Sequence, residues 1–356
     1  MSLHHQIQTY LDHLITTGRE TGLQVTAYHH GNLLTDAVAG HADHQGRAVT
    51  PDTPFFAFSI GKGLTGAAIH LLADRGHLDD DLRLADVWPE FAQHGKDTIT
   101  LRHVLTHSAG LPTVPADTTA EHLADWNHMC DLLADAQPIW EPGTRHGYHA
   151  WTYGYLAGET VRRATGRTLS DILDTDIATP LGVPGELRFG VPDSDLPRLA
   201  VLEDHGWTAA FTQLSTYAPN VAAAAPPGVR PDATLGNQPT IQRADIPAVG
   251  TVTARAAARL YSALLTGELI SPDRLKTATT TAVTGPDWTF GGPSAFTLGF
   301  GVIDDTWIGY DGSGGSIAAM APAHGIALAA TKNALSYGDD DPMDTIRRMV
   351  LDAVTG

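Results

Sequence analysis

The 356-residue chain contains one cysteine, Cys130, and four lysines, Lys62, Lys96, Lys276 and Lys332. A single cysteine excludes an internal disulfide, and Cys130 reads as a small buried apolar side chain with no thiol chemistry required of it. Positive charge is scarce throughout: 22 Lys and Arg stand against 40 Asp and Glu, a formal net charge of -18. Such a field repels phosphate backbones and anionic lipid, which argues against nucleic acid and membrane surfaces as partners. No apolar run reaches the roughly 18 residues that a membrane span needs. Residues 1–17 also lack a basic stretch followed by an apolar one; instead Ile7, Tyr10, Leu11 and Leu14 recur at helical spacing. An amphipathic surface helix and a cytoplasmic location are expected.

With 42% apolar residues the chain can bury a large core, either as one two-lobed unit or as two domains. Segments 23–28 and 33–39 flank a tight turn expected at Gly31-Asn32 and read as a hairpin. Helical spacing recurs at 64–72, 101–106, 120–134, 153–165, 169–176 and 254–265, so the middle of the chain reads as mainly helical. Between 216 and 238 the composition shifts to Ala, Pro, Gly and Asn without periodicity, the mark of a long functional or mobile connection. Segments 297–303, 307–310, 317–321 and 326–331 read as glycine-punctuated strands, followed by a helix over 342–354. Strands at both ends enclosing helices suggest one sheet built from both termini.

Ser59-Ile60-Gly61-Lys62 lies between the apolar Pro54-Phe55-Phe56-Ala57-Phe58 and the amphipathic stretch 64–72. Residues three apart on a helix are neighbours, so a helix beginning at Ser59 folds the Lys62 amine back toward the serine hydroxyl. The unpaired N–H groups of a first turn carry partial positive charge, which stabilises an alkoxide and disfavours a protonated lysine. Where charged positions are mostly Arg, Asp and Glu, a lone lysine in apolar surroundings supplies what arginine cannot, a cation able to lose its proton.

Two further segments bear on chemistry. Glu141-Pro142-Gly143-Thr144-Arg145-His146-Gly147-Tyr148-His149-Ala150-Trp151 is a turn that delivers Tyr148 just before a helix, and a tyrosine beside a cation can relay protons. Taken alone, a buried tyrosine with a satisfied hydroxyl is the commoner case. Gly309-Tyr310-Asp311-Gly312-Ser313-Gly314-Gly315-Ser316 lies between two expected strands, where glycines let backbone N–H groups approach a ligand; by itself it is more often a glycine-rich hairpin turn. His41-Ala42-Asp43-His44 and Asp79-Asp80-Asp81 fall in polar loops without a ligand pattern, so no metal is expected.

In this order the three pieces resemble the serine β-lactamase and penicillin-binding-protein superfamily, particularly its class C-like esterase branch, whose motifs are Ser-x-x-Lys, Tyr-x-Asn or a variant, and Lys/His/Trp-x-Gly. Residues 53–72 look like the nucleophile helix, 99–112 (ITLRHVLTHSAGLP) like the segment before the helical lobe, and the resemblance runs from about residue 20 to the C-terminus. It implies an α+β, β-lactamase/transpeptidase-like fold: an antiparallel sheet with flanking terminal helices from 1–58 and 240–356, and a mainly helical lobe over 59–239 with an active-site loop at 216–238. It also implies an acyl-enzyme on Ser59, proton shuttling by Lys62 and Tyr148, and an oxyanion held by the backbone N–H groups of Ser59 and Ser313. Gly312, Tyr310, His149 and Trp151 join the expected substrate-binding set, Trp307 helps shape the pocket, and His107 looks structural. No cofactor is implied.

Two departures narrow the expectation. Ala150 stands where β-lactamases and peptidases carry Asn, and Tyr310 stands where they carry Lys or His, so an amide and a carboxylate-binding cation are both missing. A cytoplasmic serine hydrolase acting on a small-molecule ester, or an amide, is therefore expected. The alternative is a transacylase of the same fold, using a second molecule as acyl acceptor; a β-lactamase, a DD-peptidase or a catalytically silent receptor ranks below these.

Overall fold

The structure, a computed structural model, describes residues 1–338 and 341–356. Both ends of the chain enter one eight-stranded antiparallel sheet: β1 (Gly22–His29), β2 (Asn32–Gly40), β3 (Thr281–Pro286), β4 (Pro293–Thr297), β5 (Gly301–Val302), β6 (Ile308–Asp311), β7 (Ile317–Ala321) and β8 (Ile326–Lys332). Their order is β2-β1-β8-β7-β6-β5-β4-β3. The termini join at β1 and β8, where Leu23 pairs with Lys332 and His29 with Ile326. Among the described residues the six longest helices are α1 (Leu3–Thr16), α2 (Ile60–Asp74), α3 (Thr152–Thr165), α4 (Trp207–Tyr217), α5 (Ala254–Leu265) and α6 (Pro342–Thr355).

Two-residue alternation sorts the strands between two cores. Ile317, Ala319 and Ala321 of β7 pack with Leu328 and Ala330 of β8 beneath the apolar stripes of α1 and α6, including Ile7, Leu11, Leu14, Ile346 and Val350. Ala318, Met320, Ala327 and Ala329 face the opposite way, into the larger core that also holds α5 and α2. Alanines on both faces keep the sheet thin and let helices sit close to it. Lys332, at the end of β8, is buried in an ion pair with Glu20 (2.6 Å), and its amine also donates to Ser336 Oγ (2.7 Å). Among the described residues no helix is long and apolar enough to cross a membrane.

Several local expectations shift. The β1–β2 turn is His30-Gly31, one residue earlier than expected, with φ of 46° and 81°; Asn32 already pairs with His29. Both central residues at positive φ match the twist of a two-residue hairpin, and the His30 N–H is drawn to Gly325 O (2.8 Å). The helix expected over 120–134 is two, Ala120–Ala124 and Trp126–Asp135, because Asp125 leaves helical geometry to accept the His128 N–H (3.0 Å) and cap the second. The segment 216–238 is not a bare loop but a chain of short turns, Pro219–Ala224, Pro227–Val229 and Ala233–Gly236. Pieces of one turn or so are too short to print a periodic stripe, which is why the sequence shows none.

Candidate active site

Ser59 opens α2 immediately after Phe55–Phe56, a two-residue strand paired with Thr251–Val252. Between them Phe58 has φ 46°, a left-handed conformation that a bulky residue rarely adopts. The surroundings enforce it: Ala57 N–H donates to Gly250 O (2.7 Å), and Phe58 O accepts from Gly250 N–H (2.8 Å) and Gly61 N–H (3.0 Å). α2 itself is buried at every position from Ile60 to Leu72. Glycine makes that enclosure sterically feasible, since a Cβ on Gly61 would lie 2.2 Å from the Val249 carbonyl carbon and one on Gly66 2.6 Å from Gly299 O.

The Lys62 amine is fully buried, 3.3 Å from Ser59 Oγ, and donates to Ala150 O (2.8 Å) and Ala248 O (3.2 Å). No carboxylate among the described residues pairs with it. Burial without a counter-charge pulls its pKa from 10.5 down to about 7. In the neutral amine, two N–H bonds serve the two carbonyls and the lone pair is left for the serine hydroxyl. The expected Ser59–Lys62 juxtaposition is present, and the main-chain oxygen of Ala150 serves Lys62 at the motif position where an Asn side chain is missing.

Tyr148 is brought to the same point, with its ring centroid 4.7 Å from the Lys62 amine. Its backbone is clamped by the segment before β4: Tyr148 N–H donates to Asp287 Oδ1 (3.2 Å), and Thr289 Oγ1 donates to Tyr148 O (3.0 Å). Burial pushes its phenol well above the ordinary value, and the facing Ser59 hydroxyl only partly offsets this. Tyr148 is therefore protonated across the working pH range.

The other expected residues divide. Ser313 and Trp151 line the cavity beside Ser59. The Ser59 and Ser313 N–H groups donate to no acceptor among the described residues. The Gly312 N–H, by contrast, is taken by Ser316 O (2.7 Å), so Gly312 shapes the turn that presents Ser313. His149 does not line the pocket: it is fully buried, its Nδ1 donates to Gly147 O (2.7 Å), and its Nε2 accepts from Leu111 N–H (3.1 Å). Trp307 is likewise removed from the site, in the core beneath the terminal helices. Tyr310 reaches the site, but its hydroxyl meets His107 Nε2 (3.1 Å). Because His107 Nδ1 accepts the His149 N–H (3.0 Å), the proton sits on Nε2 and is donated to Tyr310. Burial holds His107 well below its ordinary pKa, so it stays neutral. It touches the rings of Tyr148, Tyr153 and Phe296, with centroids 4.4–5.0 Å away. His107, expected to be structural, braces two of the site tyrosines, Tyr148 and Tyr310.

Two clefts meet at Ser59, Tyr148 and Ser313. One, of about 590 Å³ including its open mouth, is walled by apolar side chains such as Phe58, Trp151, Trp207, Phe211 and Val221. The other, of about 960 Å³, runs along β6 past Phe296, Tyr310 and Asp311. Trp207 and Phe290 border both, and neither was singled out from sequence. The one local signal near Phe290 was Asp287, whose Oδ1 accepts Thr289 N–H (2.8 Å) and Phe290 N–H (3.1 Å), an Asx turn legible in principle.

Comparisons with known proteins agree with this fold. The Beta-lactamase family pattern matches residues 7–353. The chain is 33% identical over 346 residues to "Esterase/beta-lactamase LipL" of Mycobacterium tuberculosis, covering 88% of this chain and 77% of that protein. A penicillin-binding protein homologue from Caulobacter crescentus superposes with a TM-score of 0.85 at 31% identity, covering 99% of this chain and 98% of that one. A family VIII carboxylesterase superposes with a TM-score of 0.87 at 26% identity, covering 99% and 97%. With a match over nearly its whole length and the Ser-Lys-Tyr geometry intact, the chain belongs to the Beta-lactamase family, as one of its serine hydrolases.

Proposed function

We propose that the protein cleaves carboxylic esters through an acyl-enzyme on Ser59. The observation that carries this reading is the Lys62 amine, buried without a counter-ion and directed at Ser59 Oγ by two main-chain carbonyls. Neutral Lys62 takes the Ser59 hydroxyl proton as Oγ bonds to the ester carbonyl carbon. The carbonyl oxygen becomes an oxyanion between the N–H groups of Ser59 and Ser313, each such donor contributing about 3–4 kcal/mol. Collapse breaks the bond to the leaving alkoxide, which takes a proton from Tyr148; Lys62 returns its proton to Tyr148. Water, deprotonated by the same pair, then attacks the acyl carbon and releases the acid and free Ser59, so that one ester and one water give one acid and one alcohol.

Esters are favoured over β-lactams and cell-wall peptides by Ala150 and Tyr310, which leave no side-chain amide and no cation for those substrates. The similarity to a family VIII carboxylesterase points the same way, while the Mycobacterium tuberculosis relative is named for both activities. Intact mass after a fluorophosphonate, together with p-nitrophenyl acetate turnover, tests the reading. A single adduct and turnover that both vanish in Ser59→Ala are expected; turnover surviving in that variant refutes it. A second reading, acyl transfer to an alcohol or amine, is favoured by the second cleft, which can seat an acceptor next to Ser59. Product partition with and without added acceptors separates the two.

A further inference from the structure

The cleft along β6 differs in character from its apolar neighbour. Five aromatic rings, Tyr148, Trp207, Phe290, Phe296 and Tyr310, line it together with Asp311, and no lysine or arginine does. Its other carboxylate, Asp287, is almost fully buried and engaged by Tyr148 N–H, Thr289 N–H, Phe290 N–H and Ser294 Oγ. Asp311 has no hydrogen bond or ion pair among the described residues and is exposed where this cleft meets a second, polar one under the terminal helices, which it lines with Arg19, Glu20, Asp341, Asp344 and Arg347. The cation whose field reaches it, Arg347, is already shared between Asp304 and Asp344. An unpaired carboxylate at the mouth of an aromatic-lined cleft is chemistry that recognises an ammonium group. The protein's net charge of -18 adds long-range attraction of the same sign.

We infer that the Asp311 cleft selects esters whose alcohol half carries an ammonium or amine group, while the apolar cleft takes an uncharged acyl group. This rests on the hydrolase reading of Ser59 and goes beyond it by naming the substrate class. It inverts the charge preference expected where a lysine or histidine occupies the position of Tyr310.

The test compares butyrylcholine with 3,3-dimethylbutyl butyrate, a neutral ester of the same shape, and with the butyl ester of 4-trimethylammoniobutyrate, which moves the cation to the acyl half. Protein surroundings and the neighbouring acids raise Asp311 to about 6, so assays run at pH 8, where it is charged. Wild-type kcat/KM should be at least about tenfold higher for butyrylcholine than for its neutral counterpart, with no gain for the acyl-side cation. In Asp311→Asn that ratio should fall below about threefold. Tetramethylammonium should compete with the neutral ester in the wild type, a measurement that needs no variant. Equal kcat/KM for the two matched esters, a ratio unchanged in Asp311→Asn, or an equal gain for the acyl-side cation overturns the inference. Ser59-dependent hydrolysis of the neutral ester without cation preference defeats this inference alone; absence of any Ser59-dependent hydrolysis defeats the hydrolase reading as well.

Discussion

Lys62 gives the sharpest prediction, because one structural fact sets both its chemistry and its energetic cost. The fall from 10.5 to about 7 corresponds to about 5 kcal/mol of preference for the neutral amine, at 1.36 kcal/mol per pH unit. The sign follows from linkage: the folded protein releases this proton more readily than the unfolded chain, so the lysine destabilises the fold below about pH 7, and the penalty fades as pH rises toward 10.5. Only the neutral amine can accept the serine proton. The kcat/KM for p-nitrophenyl butyrate should therefore rise with pH through an apparent pKa near 7 and then level off, because Tyr148 stays protonated. Lys62→Arg keeps a donor for the carbonyls but cannot lose its proton, and should lose at least about 10²-fold in kcat/KM at every pH. Lys62→Met should lose as much activity but little stability. It removes the desolvation penalty yet leaves Ala150 O and Ala248 O without a donor, at about 1–3 kcal/mol each, so the opposing effects nearly cancel. A pH-independent rate from pH 5.5 to 9, or an active Lys62→Arg enzyme, would refute the assignment of Lys62 as the base.

Three further substitutions probe how the site is held. Lys332→Ala leaves the Glu20 carboxylate buried without its partner and should cost about 3–5 kcal/mol in urea unfolding at pH 7; a loss below about 1 kcal/mol would mean that water enters this pocket freely. Gly61→Ala forces a Cβ against the Val249 carbonyl and should cost about 1–3 kcal/mol while displacing Ser59, read as a lower midpoint and slower fluorophosphonate labelling. Tyr310→Phe deprives the buried His107 Nε2–H of its acceptor and should cost about 1–3 kcal/mol in stability. Its kinetic effect should lie mainly in KM, and a collapse of kcat with unchanged KM would instead give Tyr310 a part in the chemistry.

What could be read from sequence followed from period and adjacency. Ser59 and Lys62 meet because three residues along a helix bring side chains to one face, and helix 254–265 and strand 317–321 emerge with the expected bounds. What escaped was set by tertiary approach. His107 and Tyr310 lie 203 positions apart and share a hydrogen bond that no local pattern announces. Trp207 and the pair Phe290 and Phe296 reach one cleft from two distant segments, whereas Trp307, the more prominent tryptophan in a strand context, faces the core under the terminal helices. Ala150 carries the same point further. Read as a residue type, it is a lost asparagine and a loosened lysine. In the fold, its main-chain oxygen lies 2.8 Å from the Lys62 amine and does the holding that a side-chain amide would do. The substitution thus removes only the amide's other task, contact with a substrate. This is why the Ser59–Lys62 pair can stay chemically competent while the substrate changes: the base is positioned by backbone, which any residue supplies, and selectivity is left to the side chains of the two clefts.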